Sequence, residues 1–235
     1  MELWGTVHGD PEGHDRLTKA LWARRPDAVT VEISPMSVLF RVRQGPRLLD
    51  RLRKNAQALL REFPDEKKLI ESGDVLEDPR LESIARKCSM PYEFDAASQY
   101  GRQARIPVTP VDLSEEAFEH LVLLAGDLVS EDNLRMVLAG EPEPDRGSAA
   151  RHYAIAREIV EGRRAPDWTV DPKQRDAMLR RDRHMAREIR RVLEEMENGV
   201  LVHVGGYEHL APVPGSLRTL LAAFDPDVML LGETA

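Results

Sequence analysis

The sequence has a single cysteine, Cys88, among 235 residues. No internal disulfide can form, and no cysteine-based zinc cluster exists. Cys88 sits in a polar stretch and reads as a bystander. No run approaches the roughly 20 apolar residues of a membrane span. Glu2 and the polar turn over 8–13 break up any signal-peptide pattern. The expected setting is the cytoplasm, with no membrane partner. A basic excess is also missing: 33 Lys and Arg face 41 Asp and Glu, a net charge of −8. That argues against nucleic acid, whose phosphates need a basic face. It leaves metal cations and small ligands open. There is no Gly-x-Ser-x-Gly elbow, no P-loop, no dinucleotide fingerprint and no internal repeat. What remains for an enzyme is metal-assisted or acid–base chemistry.

What is present suits a soluble globular fold. Hydrophobic residues make up 42% of the chain, enough for one large α/β domain over 1–235. Short β-branched runs at 2–7, 28–33, 106–112, 200–204 and 225–231 read as strands. Between them, apolar residues recur at helical spacing. The first helix is expected to start at Asp10-Pro11, an N-cap followed by proline. Strand, helix and strand within 33 residues have the size of a βαβ unit. The fold class expected is therefore α/β, a mostly parallel sheet of about five strands flanked by helices. A helical insert is expected over about 114–198, with a linker at 141–145. Residues 35–63 read as helical with a break at Gly45-Pro46, and 64–90 as a short helix plus a mobile cover. The arginines at 41, 43, 47, 51 and 53 read as a solvated face, with contact to an anionic substrate left open.

Two strand ends carry the same pattern. Gly5-Thr-Val-His8 follows the first strand, and Gly206-Tyr-Glu-His209 follows the fourth. Open parallel sheets bind ligands at the carboxyl edge of their strands. If these ends meet, His8 and His209 face one site. Glu32 ends the second strand on that edge, either as a site carboxylate or as an ion-pair partner. Glu93 shares a helix face with Ala96, Ala97 and Tyr100; it is either functional or a first-turn acid favoured by the helix dipole. Asp112 caps the next helix or joins the edge cluster. Asp182 falls on the apolar stripe of a long helix over 171–197, with Arg181 beside it. A charge on a buried face must be paired or functional. His203 lies inside a strand, as a buried satisfied residue or a site residue. His14, His120, His152 and His184 read as surface residues.

Two histidines and a carboxylate with an open position for water would make a hydrolytic metal site. A second carboxylate would act as base, and Arg181 would stabilise the oxyanion. A metal-free site, in which a histidine activates water, fits the same residues.

Taken together, Gly5-Thr-Val-His8 followed by Arg25-Pro-Asp27-Ala-Val-Thr-Val-Glu32 resembles the opening of the TraB/PrgY/TIKI group. These are pheromone-shutdown and Wnt-cleaving metalloproteases, distantly related to ChaN-like and erythromycin-esterase-like proteins. Tyr92-Glu93-Phe-Asp-Ala-Ala, the run 106–112, Arg181-Asp182-Arg-His-Met185-Ala186 and Gly206-Tyr-Glu-His209 are similar to later motifs of that group, in the same order. The resemblance implies a divalent ion (Mn, Co or Zn) on His8, His209 and a glutamate, either Glu32 or Glu93. It implies a metal-dependent hydrolase, peptidase-like, acting on a peptide or small molecule. On this reading Glu32, Glu93 and Arg181 are catalytic, and Asp182, His203, Tyr207 and Glu208 bind substrate. The other class of function is a non-catalytic protein that binds a peptide or small ligand on the same scaffold. A homodimer is compatible with either.

Overall fold

The computed structural model describes residues 1–61, 75–114, 121, 125–140, 149–196 and 198–233. Its sheet has five strands, all parallel: β1 (Glu2–Thr6), β2 (Ala28–Val31), β3 (Val108–Pro110), β4 (Leu201–Gly206) and β5 (Asp227–Leu230). Their order across the sheet is β3-β2-β4-β1-β5. The helices are α1 (Gly13–Arg24), α2 (Pro35–Leu60), α3 (Pro79–Cys88), α4 (Tyr92–Ala104), α5 (Glu131–Ala139), α6 (Ala149–Val160), α7 (Pro172–Glu195) and the single turn α8 (Leu217–Leu220). This is the expected α/β architecture. No helix among the described residues is long and apolar enough to cross a membrane.

The chain divides into two compact units. The first comprises Met1–Pro35, Tyr92–Leu113 and Gly147–Ala235, and holds the whole sheet. Every residue of β1, β2 and β4 is buried. Continuous burial on both faces is what central parallel strands require. Leu3, Ala28 and Leu201 pack against Met185, Ala186, Ile189 and Val192 of α7 and against Leu217 and Leu221. The second unit comprises Met36–Pro91 and Ser114–Arg146. Leu52, Ala56, Leu59 and Leu60 of α2 form its core with Leu81, Ile84, Cys88, Leu134 and Leu138. Asp78 caps α3 by accepting from the Arg80 amide at 2.8 Å, with Pro79 in the first turn.

Four local expectations change. The division into units differs from an insert over 114–198: α6 and α7 belong to the sheet unit. The helix α2 runs through Pro46 without ending there. Gly45 lets the Cys88 carbonyl come within 2.8 Å of where a Cβ would stand, and Cys88 itself is buried. Asp10 does not cap α1, whose first residue is Gly13. Its carboxylate is buried instead, accepting from the Glu12 amide at 3.0 Å and the Tyr153 hydroxyl at 3.1 Å. Finally, β1 and β2 are not neighbours, because β4 lies between them. The end of the expected 35–63 helix (62–63), part of the expected cover (64–74), His120 and the 141–145 linker lie outside the described residues.

Candidate active site

The carboxyl ends of β1, β2 and β4 open onto a cavity of about 360 Å³, lined by Thr6, His8, Glu32, Met178, Arg181, Gly206, Tyr207, Glu208 and His209. Glu32 is its centre. It sits one residue past β2, yet it reaches toward His8 across the intervening β4. Gly205 and Gly206 make this crossing possible. A Cβ on Gly205 would lie 3.0 Å from Glu32 Oε2 and 2.9 Å from His203 Nε2. A Cβ on Gly206 would lie 2.9 Å from His8 Nε2 and 3.4 Å from Glu32 Oε2. Both backbones are ordinary in φ; what excludes a side chain is the close approach.

Glu32 accepts the Gly206 amide on Oε2 at 2.6 Å and the Arg181 guanidinium on Oε1 at 2.6 Å. His209 Nε2 lies 2.9 Å from the same Oε1. Burial favours the neutral acid, but His209 and Arg181 outweigh it and hold the carboxyl well below its usual range. Arg181 also donates to Asp112, through Nε at 3.1 Å and Nη2 at 2.8 Å. Asp112 thus joins the edge cluster. Desolvation disfavours the Arg181 cation, yet Glu32 and Asp112 more than compensate, so it stays charged.

His209 is buried between two carboxylates. Its Nδ1 bonds Asp182 Oδ1 and its Nε2 faces Glu32. Desolvation alone would strip its proton; the charges of Glu32 and Asp182 reverse that and raise its pKa to about 10. The 3₁₀ turn Tyr207–Leu210 swings the ring back beneath the strand end. The Asp182 carboxyl is pushed upward by burial, against the pull of His209. The triad therefore keeps a proton at neutral pH.

His8 is built differently. Its side chain is 61% exposed, and Nδ1 lies 2.7 Å from Glu93 Oε1. Glu93 is buried on α4, where it also accepts from the Thr6 hydroxyl at 3.1 Å. This places the glutamate behind the imidazole, with Nε2 facing the cavity. Desolvation lowers the His8 pKa, but Glu93 and Glu32 raise it further, to about 9. With the ring so exposed, solvent screens both effects, and the upward direction is what the geometry carries.

Of the residues expected to bind substrate, Tyr207 and Glu208 line the cavity. Burial raises both of their pKa values. Asp182 and His203 are fully buried, so neither touches a ligand in the cavity. Asp182 acts through His209. His203 Nδ1 pairs with the Thr30 hydroxyl at 3.1 Å, and burial drops its pKa to about 4, leaving it neutral. Its Nε2 has no hydrogen-bond partner among the described residues. Thr6 and Met178 were not expected in the site. Thr6 ends β1 two residues before His8, and Met178 lies one helical turn before Arg181 and Asp182, which is the signal that would have found them.

Among the described residues, no group of three or more His, Cys, Asp or Glu side chains is arranged to hold a metal ion. His8, Glu32 and His209 do converge, with Glu32 also accepting from a guanidinium and an amide and His209 lying between two carboxylates. A divalent ion held here would have to displace Arg181 from Glu32 and take the place of the His209 proton.

No protein-family model matches the chain, and no solved structure matches it.

Proposed function

We propose that the protein is a hydrolase acting on a peptide or small-molecule acyl substrate, with His8 as its general base. One observation carries this reading: His8 is held through Nδ1 by the buried Glu93 while Nε2 faces a cavity that also presents Arg181. Neutral His8 takes a proton from water at Nε2 as the water oxygen bonds to the acyl carbon; Glu93 stabilises the resulting imidazolium, which returns the proton to the leaving alcohol or amine as the acyl bond breaks. Arg181 and the protonated His209 supply positive charge beside the carbonyl oxygen as it becomes an oxyanion. Glu32 holds both cations in place. Asp182 orients His209, and Asp112 orients Arg181.

The test is a screen of esters and short peptides in the presence of chelator, with wild type and His8→Ala side by side. Turnover that survives chelator and disappears in His8→Ala supports the proposal. Turnover that His8→Ala leaves unchanged refutes it.

A second reading is the metal-dependent hydrolase, with Mn, Co or Zn on His8, Glu32 and His209. The approach of His8 Nε2 and Glu32 Oε2 to one point above Gly206 favours it. It requires His209 to lose its proton and Glu32 to give up Arg181. Activity abolished by chelator and restored by Mn would select this reading.

A further inference from the structure

A second hollow, of about 570 Å³, lies at the amino ends of β1 and β5 and shares no lining residue with the cavity at the carboxyl edge. Its floor is Glu2 and Trp4 of β1 beside Asp227 and Met229 of β5, which are register partners. One wall is Lys19, Ala20, Ala23 and Arg24 of α1. Ala20 and Ala23 are too small to fill the space over the edge strand. Trp4 is fully buried, so the accessible side of the hollow is that of β5, where Met229 is half-buried and Asp227 exposed. In a parallel sheet both faces are ordinarily covered.

Strand β5 is also an edge of the sheet. Asp227 donates its amide to the Met1 carbonyl on the β1 side at 3.2 Å. By strand alternation, the N–H and C=O of Val228 point the other way, off the sheet. Two exposed charges of opposite sign, Lys19 and Asp227, rim the hollow. Neither has an ion-pair partner among the described residues. Glu2 and Arg24 already pair with each other.

From these features we infer that the α1–β5 hollow is a self-association surface, and that its occupant is a second copy of this chain. A two-fold interface is the same patch on both partners, so the patch must complement itself. This one does: Trp4 and Met229 lie at its base, the cation Lys19 on one rim and the anion Asp227 on the other, while Glu2 is neutralised by Arg24. A rotated copy brings its Asp227 to Lys19 and its half-buried Met229 against the β5 side of the hollow. The outward backbone of β5 then meets that of its counterpart antiparallel. A single-signed partner would leave either Lys19 or Asp227 opposed by a like charge, and a lipid surface would leave Asp227 against its headgroups.

The experiment is sedimentation equilibrium of the full chain from about 1 to 100 µM. Wild type should sediment at twice its 26.6 kDa. Met229→Arg should be monomeric, with an unchanged circular dichroism spectrum. Asp227→Lys and Lys19→Asp should each weaken the dimer about tenfold or more, and the double exchange should restore it. Because the residues exchanged are exposed, loss of folding does not confound the pair. A wild-type monomer across the whole range overturns the inference. So does a dimer indifferent to Met229→Arg and to both charge reversals, or a monomer whose hollow retains a small apolar ligand. None of these outcomes bears on the hydrolase reading, since the hollow shares no residue with the catalytic cavity.

Discussion

The two Gly-x-x-His ends share a spelling and differ in almost everything physical. His8 stands in the open, with one buried carboxylate behind it and a ring nitrogen facing the cavity. His209 is 3% exposed at its side chain and spends both ring nitrogens on carboxylates. An exposed, singly held imidazole can exchange a proton with a ligand. A buried, doubly held one keeps its proton and serves as a fixed charge. The same motif thus presents an exposed, singly held imidazole at one strand end and a buried, doubly held one at the other. The carboxylate that joins them, Glu32, reaches across a strand stripped of side chains.

The largest effect is expected where that joint is cut. Glu32→Gln leaves Arg181 and His209 facing a neutral amide inside a buried network. It should cost about 3–5 kcal/mol in urea unfolding, as breaking one partner of a buried pair does, and abolish turnover as well. His209→Ala should resemble it, losing stability and activity together. His8→Ala should separate the two ends cleanly. Activity is expected to fall by about 10²–10⁴-fold, while stability should fall less than in His209→Ala, because the ring is exposed and the buried Glu93 keeps the Thr6 hydroxyl. Equal destabilisation by His8→Ala and His209→Ala would erase the distinction.

A smaller effect tests the crossing. Gly206→Ala places a methyl 2.9 Å from His8 Nε2 and 3.4 Å from Glu32 Oε2. About 1–3 kcal/mol is expected, the usual cost of overpacking, with activity reduced because both side chains must shift. The smallest effect is in pH dependence. The pKa of His209 rises on folding from 6.5 to about 10. Its contribution to stability is therefore complete below pH 6.5 and is lost as pH climbs through about 10. The stability difference between wild type and His209→Gln should shrink over that interval. For His8 the same upward direction means that the base form gains with alkalinity, so turnover should rise between pH 6.5 and about 9.

Much of this layout was legible in the residues. All five strands carry β-branched or alternating patterns that local chemistry writes openly, and the strand ends named the edge. Asp182 announced itself as a charge on the apolar stripe of α7. Its role did not: a stripe position places a carboxylate inward but does not say which histidine meets it. Which of its two readings His203 follows was hidden for a related reason, since a strand-interior histidine points into one face or the other and only packing decides. The strand order was hidden too. Strand β4 follows β1 by nearly 200 residues in sequence, and nothing local announces that it inserts between β1 and β2. Gly205 and Gly206 were visible as a tight turn. Their deeper use, as the opening through which Glu32 passes, depends on that order.

The contrast between the two strand ends is one of proton holding at His8 and His209, and an imidazole titration by nuclear magnetic resonance reads it directly in the metal-free wild-type chain. The His209 resonances should stay those of an imidazolium past pH 9, while His8 titrates below them, above 6.5 and up to about 9. His8→Ala should remove the lower transition and leave the upper one in place. Two transitions together near pH 6.5, or a His209 that is neutral at pH 7, would contradict the account.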